Sequence, residues 1–83
     1  MKRLDGQIAW IGGGASGMGE AAAELCAEEG AKVVVADIQV ERGQEVVERI
    51  AGHGGQAIFL ECDVVREDAV RESIEKTVEH VGG

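Results

Sequence analysis

The chain has no proline, no apolar run approaching membrane-spanning length, and no N-terminal stretch with the layout of a signal peptide. Those absences argue against a membrane-spanning or secreted protein, and a soluble cytoplasmic one is expected. Cysteine is scarce. Cys26 and Cys62 have neither metal-ligand spacing nor the density of a disulfide framework, and both are expected to pack as small apolar residues. Positive charge is short as well, with 8 Lys and Arg against 16 Asp and Glu, a formal net charge of −8. That balance argues against nucleic acid or an anionic membrane surface as partner. It does not argue against a dinucleotide, whose phosphates are held by local backbone dipoles. His53 among glycines and His80 near a helix end read as solvated, and no metal site is expected.

Glycine is what the chain has in plenty, 13 in 83 residues, and its densest cluster is Gly12-Gly13-Gly14-Ala15-Ser16-Gly17-Met18-Gly19. Before it lies the apolar run Ile8-Ala9-Trp10-Ile11, which reads as a central parallel strand covered on both faces. After it a helix begins at Met18, with Ala21, Ala22, Leu25 and Cys26 at helical spacing and Glu20, Glu24, Glu28 and Glu29 on the other face. The glycines therefore stand where backbone turns sharply into a helix N-terminus. Unpaired N–H groups and the positive end of the helix dipole can hold a pyrophosphate there, and side chains would only keep it away.

A second strand, Lys32-Val33-Val34-Val35-Ala36, closes on Asp37. An acid at the end of the second strand of a βαβ unit can accept hydrogen bonds from both hydroxyls of the adenosine ribose and would repel a 2′-phosphate. The alternative is a solvated Asp that starts a turn.

Strand and helix then continue to alternate. A second helix carries Val40, Gly43, Val46, Val47 and Ile50 on one stripe; a third strand runs Gln56 to Cys62 and ends at Asp63-Val64. The third helix, from about Glu67, has Val70, Ile74, Thr77, Val78 and Val81 on its stripe. The order β-α-β-α-β-α with right-handed crossovers gives a Rossmann-type parallel sheet, strand order 3-2-1, within one domain of residues 1–83. In that order the first strand is an edge although it is apolar on both faces, and natural sheets do not leave such an edge bare. The fold is thus expected to be an incomplete doubly wound one, with the third helix leading toward a missing neighbour.

Gly13-x-x-x-Gly17-x-Gly19, Asp37 ending the second strand and Cys62-Asp63-Val64 ending the third together resemble the N-terminal half of a short-chain dehydrogenase/reductase. The resemblance runs from about Gly6 to Gly83. It implies that Gly13, Gly17 and Gly19 shape the pyrophosphate loop, that Met18 offers its backbone N–H to the phosphates, and that Ser16 lies beside the adenosine ribose. It further implies that Asp37 binds the ribose hydroxyls, that Ile38 lies against the adenine, that Asp63 receives the adenine amino group, and that the Val64 backbone lies alongside. Family members that use NADP usually carry a basic residue near the positions of Ser16 or Ile38. Neither is basic here, so NAD is implied.

Two departures from the family pattern are local. Gly12 stands where family members usually have Thr, which is expected to loosen the loop, and Trp10 stands where they usually have a smaller aliphatic residue. A third departure concerns activity. The family's reaction needs a tyrosine acid/base, a lysine four residues later, a supporting serine and an asparagine-rich turn, and this chain contains no Tyr and no Asn. No catalytic residue is assigned.

The resemblance implies a cofactor-binding portion of an NAD-dependent oxidoreductase moving hydride between cofactor and an alcohol or carbonyl, truncated before the catalytic segment and not competent alone. A small alcohol or carbonyl substrate is expected only in a full-length form. A second hypothesis is a non-catalytic nucleotide-binding module that associates with itself through the bare first strand. The third, a methyltransferase-like domain, is disfavoured because Trp10 and Ile11, just before the loop, are not acidic.

Overall fold

In a computed structural model that describes residues 4–77, three strands alternate with three helices. They are β1 (Ile8–Gly12), α1 (Gly17–Glu28), β2 (Lys32–Asp37), α2 (Val40–Gly52), β3 (Gln56–Glu61) and α3 (Glu67–Thr77). All pairing is parallel, in the order β1-β2-β3. Ile8 pairs with Lys32 and Gly12 with Ala36, while Lys32 pairs with Gln56 and Asp37 with Glu61. The expected Rossmann-type sheet is present, and the carboxyl ends of all three strands meet along one edge.

The sequence reading of β1 as a central strand does not hold among the described residues. β2 is the central strand: Val33, Val34, Val35 and Ala36 are fully or almost fully buried, whereas β1 is half-exposed along its middle and open at both ends. A β-branched run covered on both faces is the signature of a parallel strand with two neighbours, and β2 is the strand paired on both sides among the described residues.

Alternation along β2 sorts the two faces. Val33 and Val35 join Ala23, Ala27, Ala31, Val46 and Ile50 in the main core, with Ala9, Ile11, Ala57 and Phe59 packed against it. This is the face that α1 and α2 cover. α2 docks through Gly43, Val46 and Ile50 of its expected stripe, with Val47 against the core, while Val40 is exposed. A methyl group on Gly43 would overlap the Phe59 ring, so the absence of a side chain there lets the helix sit on β3.

α1 presents a different face from the one its apolar spacing suggests. Ala21, Ala22 and Leu25 are exposed, and the buried residues are Glu20, Ala23 and Ala27. Glu20 is not solvated: its carboxylate receives the Arg42 guanidinium at 2.6 Å and also that of Arg49, both from α2. Arg49 reaches Glu24 as well, at 3.3 Å. Buried charges are tolerated where they are paired, and the acid helps to clamp α1 to α2.

α3 lies on the opposite face of the sheet, where its Ser73 meets Trp10 of β1. The expected stripe holds in part: Thr77 is buried and Val70 half-buried, but Ile74 is exposed and Ser73, off the stripe, is buried; Val78 and Val81 lie outside the described residues. Thr77 turns its hydroxyl back onto the Ser73 carbonyl at 2.9 Å, which satisfies a buried donor inside the helix itself.

Candidate functional site

The turn after β1 is built by backbone contacts that leave little freedom. Gly13 adopts a positive φ of 73°, a region that side chains with a Cβ avoid, and its N–H donates to the Ala36 carbonyl at 2.8 Å. That bond fastens the start of the loop to β2. Gly19, in the first turn of α1, faces back onto the same loop: a Cβ there would overlap the Gly13 carbonyl and lie 2.9 Å from the Gly14 Cα. Gly17 is different, since a Cβ on it would meet nothing within 4 Å. Two of the motif's glycines therefore serve the packing of loop on helix, and Gly17 borders open space.

Ser16 stands at the N-cap of α1 but makes no side-chain cap. Its hydroxyl donates instead to the Gly13 carbonyl at 2.7 Å. An α-helix leaves its first N–H groups without intrahelical partners, and without a cap the first turn at Gly17, Met18 and Gly19 keeps donors and a positive dipole end for an anion. Met18 is 89% exposed beside them.

Asp37 lies at the end of β2 and is only 5% exposed. One carboxylate oxygen accepts the Ala15 N–H at 3.1 Å and the other the Gln39 N–H at 3.0 Å. The side chain thus ties the glycine loop to the turn that follows β2, a role the sequence reading did not foresee. The Asp37 carbonyl in turn accepts the Cys62 N–H at 3.0 Å, which joins the end of β3 to the group. A carboxylate has about four acceptor positions, and these backbone bonds use two of them.

Ile38 follows Asp37 and is 61% exposed. Asp63 is half-buried, and its carboxylate accepts the Val65 N–H at 3.1 Å within its own turn. Val64 beside it is exposed, with its Cγ1 3.5 Å from the position a Gly12 Cβ would take. The structure therefore joins Gly13, Ser16, Gly17, Met18, Gly19 and Asp37 into one connected constellation, with Ile38, Asp63 and Val64 along the same carboxyl edge of the sheet. A concavity of about 280 Å³ lined by Ala27, Ile50, His53 and Gly55 lies at the opposite, amino edge and involves none of them. Among the described residues no cluster of His, Cys, Asp or Glu suits a metal ion, and no helix is long and apolar enough to cross a membrane.

Known proteins share both this sequence and this arrangement. The family model for the short chain dehydrogenase matches residues 7–83. Tropinone reductase-like 2 of Erythroxylum coca is 48% identical over 81 residues, which are 98% of this chain and 28% of that protein. Secoisolariciresinol dehydrogenase of Forsythia intermedia is 44% identical over 81 residues, again 98% of this chain and 28% of its own length. The crystal structure of hydroxysteroid dehydrogenase from Escherichia coli superposes with a TM-score of 0.91 at 36% identity, covering 96% of this chain and 34% of that one. The chain spans about a third or less of each of these relatives. That family is one of oxidoreductases using nicotinamide dinucleotides. With the glycine turn, the acid-ended β2 and the parallel sheet all in their expected places, and the match extending over nearly its whole length, the chain belongs to the short-chain dehydrogenase family.

Proposed function

We propose that residues 1–83 form part of a Rossmann domain that binds NAD, and that they contribute the cofactor-binding portion of an oxidoreductase acting on an alcohol or carbonyl. The observation that carries the reading is the placement of Asp37, whose buried carboxylate joins the glycine loop to the end of β2 beside an uncapped helix N-terminus. The residues present fit the group. Gly17 leaves the phosphate space clear, and the N–H groups of Gly17, Met18 and Gly19 would receive the pyrophosphate, with Gly13 shaping the turn. Asp37 has acceptor capacity for the ribose hydroxyls. Ser16 would lie beside that ribose, Ile38 against the adenine, Asp63 at its amino group and the Val64 backbone alongside.

Preference for NAD over NADP follows from charge. A 2′-phosphate would be brought against the Asp37 carboxylate, where like charges in a partly desolvated setting repel, and neither Ser16 nor Ile38 supplies a cation. When bound, the nicotinamide supplies the hydride donor or acceptor. What these residues do is hold the dinucleotide by its phosphates and adenosine. No Tyr or Asn is present, and we assign no catalytic residue. Calorimetric titration of the chain with NAD and with NADP tests the reading: NAD is expected to bind more tightly, and tighter NADP binding would defeat it.

The edge of β1 favours one addition to this proposal. Its outer backbone groups have no partner strand among the described residues, and an unpaired edge is a template for another strand. Self-association of the chain through β1 is expected. Light scattering on the purified chain tests it, and a monomer at every concentration would count against it.

A further inference from the structure

The two residues at which the chain departs from its family's pattern, Trp10 and Gly12, are physically one feature. Alternation puts both on the face of β1 that α3 covers. A Cβ on Gly12 would lie 2.8 and 2.9 Å from two carbons at the far edge of the Trp10 ring, closer than side chains pack. The ring occupies the space a residue-12 side chain would need. It is also fastened there, because the indole Nε1–H donates to the Ser73 Oγ of α3 at 2.8 Å, and Ser73 is buried. The other buried residue among those described in α3, Thr77, is polar as well. The hydrogen bond between the buried Ser73 hydroxyl and the indole N–H fastens α3 to β1.

We propose that Trp10 is a positioning residue for the glycine turn: its ring supports Gly12, the residue at which the turn leaves β1, and through Ser73 makes α3 part of the dinucleotide site. The chain of contacts is continuous. Gly12 leads directly into Gly13, which is pinned to Ala36, and the space over Gly12 is bounded by the ring on one side and by the Val64 methyl on the other. A ring held rigidly by its nitrogen cannot swing aside for a methyl group at residue 12. Occupancy of the turn and the seating of α3 are then coupled through one side chain. This inference rests on the NAD-binding reading for its ligand, and on the geometry alone for the link between Trp10, Gly12 and Ser73.

Trp10 is the single tryptophan of the chain, so its indole N–H gives one resonance in an amide-type NMR spectrum. That resonance is expected to exchange slowly with solvent, to shift when NAD is added, and to exchange faster in Ser73→Ala, where its acceptor is gone. The coupling is read from a double-mutant cycle, with each variant followed both by NAD titration and by thermal melting. Gly12→Ala should lower NAD affinity about tenfold in the parent and less than about twofold in the Trp10→Val background, where no ring stands in the way. Melting temperatures should show the same non-additivity. Ser73→Ala keeps the ring and is the milder variant should Trp10→Val lose its fold. Equal effects of Gly12→Ala in both backgrounds, or an indole resonance indifferent to Ser73→Ala, would overturn the proposal. If the parent binds no NAD, the reading of the site fails, and the cycle in melting temperature with the indole exchange rate still decides whether Trp10, Gly12 and Ser73 act as a unit.

Discussion

Replacing Asp37 removes an acceptor from two backbone donors at once, and the structure separates their consequences. Gln39 is exposed, so its N–H regains water when the carboxylate is lost. Ala15 is 2% exposed, and its N–H has no such recourse. A hydrogen bond to a charged group is worth about 1.5–3 kcal/mol, and a buried donor left unsatisfied costs about 1–3 kcal/mol. Asp37→Ala should therefore destabilise the fold by about 2–3 kcal/mol, a large share of what a single small core supplies, roughly 3–5 kcal/mol. Asp37→Asn keeps one carbonyl oxygen, which the buried Ala15 N–H should claim, and should lose only about 1 kcal/mol. Urea unfolding followed by circular dichroism measures this directly. With a slope of about 1 kcal/mol/M, the midpoint should fall by about 1 M for the asparagine variant and by about 2 M or more for the alanine variant. Both should also bind NAD more weakly than the parent. An unchanged midpoint in Asp37→Ala would show that the carboxylate does not hold the loop to β2, and the reasoning from its buried contacts would be wrong.

Other outcomes follow from the same contacts. Gly17→Ala should leave the thermal midpoint of the chain nearly unchanged, because nothing lies near its Cβ, yet weaken NAD binding measured by calorimetry. Gly19→Ala should do the reverse in order of severity, lowering the midpoint first, since its methyl would overlap the Gly13 backbone; equal midpoints for the two variants would contradict this division of labour. Gly43→Ala should destabilise by about 1–3 kcal/mol in denaturant titration, as overpacking does, because the Phe59 ring fills that space. Glu20→Gln takes the buried anion from two guanidiniums, which keep Glu45 and Glu24 as exposed partners. The arginines are themselves partly exposed, at 44% and 40% of their side chains, so a loss of only about 1 kcal/mol is expected once solvent screening is allowed for, and a loss above about 3 kcal/mol would mean that the pair is effectively buried.

The order of elements was legible in the sequence, and the candidate site residues could be picked out there, because both rest on local signals. Glycines at a sharp turn, valines in a row and an acid at a strand end each carry their meaning in a few adjacent positions. The face of α1 was not legible, and that of α3 was legible only in part, at Thr77 but not at Ser73. In a helix made of Ala and Glu the apolar spacing hardly distinguishes one side from another, and Glu20 is buried only because Arg42 and Arg49 arrive from a helix distant in sequence. Ser73 likewise looks like a surface residue until Trp10 brings it a donor. The role of Asp37 was half legible: its position pointed to a ribose, while its bond to the buried Ala15 N–H depends on how the loop folds back. β1 reads as central from its apolar run, which reports what a strand can bury, while the number of its neighbours among the described residues follows from the strand order.

The pairing of β2 with both other strands has a kinetic consequence. Ile8 pairs with Lys32 and Lys32 with Gln56, so each half of the sheet closes across a crossover of the same sequence length, and neither can form as a local hairpin. Parallel pairing of this kind delays reward until a long loop has closed, which slows folding relative to helical chains of equal size. β2 is common to both closures, and its amides hydrogen-bond on either side. Among the described residues they should be the last to exchange with deuterium, opening only when the whole sheet comes apart.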